Sequence, residues 1–144
     1  MKAFYAFLFC WNADCHLSAN QIYKEMNKYE AADEIATLIP AAQDEIFKAV
    51  AIKHPYLLIG VFTVHIQRLI EAHNQAMVER CFRIMEKIHY KGDNLLKVAV
   101  ENIFVFSLDR IVASCNASEK KLLMSKIPIG LYTAYVNQIY KSGI

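Results

Sequence analysis

A chain of 144 residues matches one ordinary domain, and it can bury roughly 70% of its unfolded surface without a disulfide or metal staple. Its net charge of +2 and pI near 8.3 are too weakly basic for a polyanion binder, so nucleic acid is disfavoured as a partner class. Hydrophobic residues make up 56% and mean hydropathy is +0.19, which predicts either a large core or apolar surface meeting a partner, a second copy included.

The chain opens on an apolar, aromatic stretch, Ala3 to Trp11, behind a single Lys2. That resembles the start of a signal peptide, but the aromatics, the early Asp14 and the want of a small-x-small site before Leu17 oppose it. We expect residues 1–17 to pack on the domain, with secretion the alternative. Cys10, Cys15, Cys81 and Cys115 form no disulfide framework, which favours a reducing, cytoplasmic setting. Cys10, Cys15 and His16 match no metal-site spacing.

Ser18 with Gln21 reads as a capped helix start, followed by Ile22, Met26 and Tyr29 at helical spacing. The helix either continues through the acidic run Glu30 to Glu34 or is replaced by a second one before Pro40. Pro40 and Pro55 each suit the first turn of a helix. The first of these carries Ile46, Phe47 and Val50. The second runs from Tyr56 to about Ala72 with Leu58, Phe62, His65 and Leu69 on one face, and Gly60 inside it predicts a closely approaching neighbour.

Asn74 caps an amphipathic helix with Val78, Cys81, Phe82, Met85 and Ile88 inward. Its outer face carries Arg80, Arg83, Lys87 and Lys91, a stripe suited to an acidic partner. From about 94 to 115 comes a nearly all-apolar helix, broken only by Glu101, Asn102, Asp109 and Arg110, which predicts a central buried helix. No segment offers the roughly 20 apolar residues a membrane span requires. Asn116 or Ser118 caps a short helix, and Pro128 opens the last, with Leu131, Tyr135 and Ile139 inward.

The expectation is one all-α domain over 1–144. It holds six or seven helices, in an irregular bundle or a short armadillo/HEAT-like array of helical pairs around the central helix. Residues 1–50 hold four basic and seven acidic side chains, net −3, and residues 51–144 hold twelve and seven, net +5, so the two halves attract.

Chemistry-bearing motifs are sparse. Glu86 and His89 have the i, i+3 spacing of di-iron bundles, but those sites require a second copy and two further glutamates. With four glycines in the chain there is no phosphate loop, and nucleophile elbows and H-E-x-x-H are missing too, so no metal, cofactor or catalytic residue is assigned. Asn102 and Asp109, seven apart, share a face and mark a candidate pocket, with His65 as a third member.

The segments HPYLLIGVFTVHIQRLI, VERCFRIMEKI, VENIFVFSLDRIV and PIGLY resemble a group of uncharacterised small helical bacterial proteins classed only as a domain of unknown function. The resemblance spans about residues 35–141. It implies an all-helical bacterial protein without an assigned activity, and it carries no functional residues across. A protein-binding module, of the immunity type for example, is the leading reading, and a ligand-binding or enzymatic bundle at His65, Asn102 and Asp109 is the alternative.

Overall fold

The computed structural model describes residues 24–51 and 54–141, so residues 1–17, the Ser18 cap and the trio Cys10, Cys15 and His16 lie outside the described residues. Among the described residues there are seven α-helices and no strand. Helix α1 (Lys28–Leu38) begins at Asn27, whose side chain accepts the Glu30 N–H while Glu30 accepts the Asn27 N–H in return. Residues 24–27 are not helical, so the acidic run sits on a helix with its own start. Just before it, Met26 donates to the Lys91 carbonyl and accepts from the Asp93 N–H, tying this entry to the turn that follows α4.

A 3-10 turn at Pro40–Ala42 leads into α2 (Gln43–Ala51), which buries Ile46, Ala49 and Val50 and leaves Phe47 exposed. Helix α3 (Pro55–Glu71) is opened by Pro55 and capped by the His54 ring, which accepts the Tyr56 N–H. Its buried row is Leu58, Ile59, Phe62, Thr63, Ile66 and Ile70. The helix is therefore turned relative to the expected face, and His65 and Leu69 fall on its flank.

Helix α4 (Gln75–Lys91) starts at Asn74 and buries the five residues that its pattern predicts, Val78, Cys81, Phe82, Met85 and Ile88. Next, Asn94–Ala99, a π-helical turn Val100–Val105 and Phe106–Ile111 run end to end as α5. Asn116 caps α6 (Ala117–Ser125), and α7 (Ile129–Lys141) closes the described chain.

Helix α5 is the hub, packing on α3, α4 and α7, while α1 packs on α2, α3 and α4. Contacts from both α1 and α7 to α4 skip intervening helices, which a one-dimensional stack of repeats does not do. The arrangement is an irregular bundle. Phe82 and Phe104 meet edge to face at its centre, with ring centroids 6.0 Å apart. Enclosure of α5 is incomplete, because Leu95, Val98, Asn102, Phe106 and Asp109 form a solvent-facing row along it.

The glycines differ in what they do. A Cβ at Gly92 would strike the Ile88 carbonyl and lie 2.8 Å from Leu96 Cβ, so this turn has room only for glycine. At Gly130 a Cβ would meet the Glu86 carboxylate at 2.7 Å, and that carboxylate accepts the Gly130 N–H at the start of α7, where a negative charge suits the helix end. A Cβ at Gly60 would meet nothing within 4 Å, so the close approach expected there is not found. We predict that Gly60→Ala stabilises the fold by up to about 1 kcal/mol through helix propensity, whereas Gly92→Ala costs on the order of 1–3 kcal/mol through overpacking. Urea unfolding of the two variants checks both signs, and a stabilising Gly92→Ala would contradict the packing described.

Candidate functional site

Where the π turn of α5 faces α7, the described surface forms a groove of about 440 Å³. Asn102 lines it from the π turn, Phe106 and Asp109 from the α-helical part that follows, and Tyr135, Gln138 and Lys141 from α7. The π turn arises where the Phe106 N–H reaches back to the Glu101 carbonyl, five residues earlier. The Gln138 side-chain amide donates to that same carbonyl at 2.8 Å, so α7 is fastened to the widened turn.

The groove's polar groups are held by neighbours. Asn102 Nδ2 donates to the Tyr56 hydroxyl of α3 at 2.6 Å, and the Tyr135 hydroxyl donates to Asp109 Oδ1 at 2.6 Å. The Asp109 carboxylate beside it, with partial burial second, pushes the Tyr135 hydroxyl up to about 12. Glu101 Oε2 accepts from His89 Nε2 at 2.8 Å.

Asn102 and Asp109 therefore stand on one groove, and both are exposed. His65 is not part of it. It is bonded to Glu45 of α2 at 2.9 Å, on the flank of α3. Glu86 and His89 also part company, one serving the Gly130 N–H and the other Glu101. Among the described residues, no group of three or more His, Cys, Asp or Glu side chains is placed to hold a metal ion.

On α4, Arg80, Arg83, Lys87 and Lys91 are all exposed, as the pattern requires. Arg83 pairs with Glu79 at 3.0 Å on its own helix, and Lys87 pairs with Glu34 of α1. Lys87 and Lys91 share a shallow groove with Glu30, Asp33 and Glu34, so the acidic α1 already answers this end of the stripe. Such exposed pairs contribute little energy each, and their effect here is mutual neutralisation.

Burial raises both described thiols, Cys81 to about 12 and Cys115 above its ordinary value, which is opposite to the activation a catalytic thiol needs. Glu119 of α6 is held low by the ring of His73 in the α3–α4 turn, 2.6 Å away. That pair joins two elements, and it has the geometry of a brace.

Sequence reasoning missed Tyr135 and Gln138 as groove residues and did not anticipate the exposure of Phe106. Tyr135 and Gln138 meet α5 only in the folded molecule, and no local pattern marks them. A raised Tyr135 is a stability statement: its favourable contribution is complete below the ordinary tyrosine value near 10 and is lost as pH rises through about 12. We predict that Asp109→Asn returns the Tyr135 titration toward 10, read as the ultraviolet difference between parents and their Tyr135→Phe counterparts. An unchanged Tyr135 titration in Asp109→Asn would show that the carboxylate is not its cause.

Residues 32–141, most of the chain, match the family model described as "Domain of unknown function (DUF7674)", and the chain belongs to that family. No curated protein and no solved structure matches it. Among the described residues no helix is long and apolar enough to cross a membrane.

Proposed function

We propose that this protein is a non-enzymatic protein-binding module of the bacterial cytoplasm, an immunity-type antagonist for example, and that its partner docks on the open row of α5 and the adjoining groove. The observation that carries the reading is Phe106, a large ring 78% exposed on the central helix of the domain. Leu95 at 64% and the partly exposed Val98 extend it into an apolar row, with Asn102 and Asp109 supplying polar contacts. Aromatic anchors bordered by polar groups are the usual centre of a binding surface.

The groups at the groove suit recognition better than catalysis. General acid–base work needs a residue that changes protonation near working pH, and Tyr135 keeps its proton far above that range. Both described thiols are likewise held protonated. The alternative, a small-molecule pocket, draws support from the groove's volume, which falls within the range of ligand sites. Its wide exposure to solvent at Asn102, Phe106 and Asp109 favours a protein segment instead.

The test is quantitative co-purification from the native host with tagged wild type, Phe106→Asp and the triple variant Arg80→Glu, Arg83→Glu, Lys87→Glu. We expect a partner whose recovery falls at least tenfold in Phe106→Asp, about 1.4 kcal/mol of binding, and is retained by the triple variant. Circular dichroism confirms that each variant is folded. A partner lost in the triple variant and kept by Phe106→Asp would move the surface to α4.

A further inference from the structure

The hydrogen-bond inventory of the groove identifies the chemistry of what binds there. Its donors are largely engaged inside the molecule. The Tyr135 hydroxyl goes to Asp109, the Gln138 amide to the Glu101 carbonyl, and the Asn102 amide nitrogen to Tyr56. Its acceptors are only half used. Asp109 Oδ1 accepts from Tyr135, Glu101 Oε2 accepts from His89, and the second oxygen of each has no partner among the described residues, nor has the Asn102 amide oxygen. Two carboxylates thus line the groove against one cation, Lys141, at the end of α7. Arg110, next to Asp109 in the chain, turns its guanidinium to Ser107 at 3.2 Å on its own helix.

An acceptor-rich wall beside an exposed aromatic ring calls for a flat, multi-donor cation. A guanidinium donates through five N–H groups in a fixed plane and stacks on aromatic faces, which an ammonium does poorly. We propose that the groove seats an arginine side chain presented by a partner protein, its guanidinium on the free oxygen of Asp109 and its stem against Phe106. This rests on the protein-binding reading above and deepens it. Lys141 on the groove's lining repels a second cation, so the groove takes one arginine flanked by an apolar residue that meets the partly exposed Ile139.

The experiment is an NMR titration of the full ¹⁵N-labelled chain with three blocked tripeptides, Leu-Arg-Leu, Leu-citrulline-Leu and Leu-Glu-Leu. Citrulline keeps the shape of arginine and removes its charge. We expect saturable shifts confined to residues 101–109 and 135–141 with the arginine peptide, at least tenfold weaker binding of the citrulline peptide, and a similar loss for the arginine peptide on Asp109→Asn. Phe106→Ala, at an exposed position that leaves the core untouched, should weaken it as well. Equal binding of the arginine and citrulline peptides would overturn the guanidinium assignment while leaving the groove as a docking surface. Preference for the glutamate peptide would overturn the assignment by placing recognition at Lys141. Shifts that appear on concentrating the protein alone would give the groove to a second copy and overturn it too. Absence of localised shifts with every peptide would overturn both this assignment and the docking surface.

Discussion

A run of five fully buried side chains spaced four apart along α5 and its C-terminal cap, Leu96, Val100, Phe104, Leu108 and the capping Val112, is the constraint on which the rest of the fold depends. In a regular α-helix each step of four turns the row by about 40°, so it would wind about 160° around the helix between its ends. No single core could then receive it. The π turn at Val100–Val105 inserts one residue and takes back about 100° of that drift, which returns Leu108, Ile111 and Val112 to the side already occupied by Leu96 and Phe104. One face of α5 is thereby held against α3, α4 and α7. The opposite face, with Leu95, Val98 and Phe106, is left to solvent.

The same turn builds the groove. A π turn widens the helix, and the Glu101 carbonyl that takes the Phe106 N–H there accepts a second hydrogen bond from Gln138 of α7. Asp109, one turn on, fastens to Tyr135 from the same helix. Packing and site therefore share a cause: the residue inserted to keep the core row aligned also sets α7 at the distance where Asn102, Phe106 and Asp109 open onto a common space. Structural needs and binding surface are met by one irregularity, which fits the recurrence of such turns at functional sites.

How far the sequence revealed this depended on whether the signal was local. Helix α4 was legible residue by residue because its apolar and charged positions alternate at 3.6 spacing and Asn74 marks its start. Asn102 and Asp109 could be placed on one face for the same reason. Helix α3 is apolar around much of its circumference, so periodicity could not fix its rotation, and His65 fell on the flank beside Glu45. Gly60 shows the limit of reading a residue type alone, since open space and close packing both tolerate glycine. The four-residue spacing on α5 emerges only from burial, because apolar residues fill most of that stretch. Nothing local could show that Phe106, among so many apolar neighbours, faces outward.

Charge asymmetry between the two halves of the chain finds its use inside the molecule. Glu34 of α1 meets Lys87 of α4, and the Met26 backbone bonds hold α1 in place for that encounter. The basic stripe is partly neutralised in this way, through Lys87 with Glu34 and Arg83 with Glu79.

The most direct test of this account is the hydrogen bond that defines the π turn. In the full chain labelled with ¹⁵N and ¹³C, the through-bond coupling across backbone hydrogen bonds should link the Phe106 nitrogen to the Glu101 carbonyl carbon. A coupling from Phe106 to the Asn102 carbonyl carbon instead would make α5 a regular α-helix, and neither the alignment of its core row nor the groove beside α7 would stand.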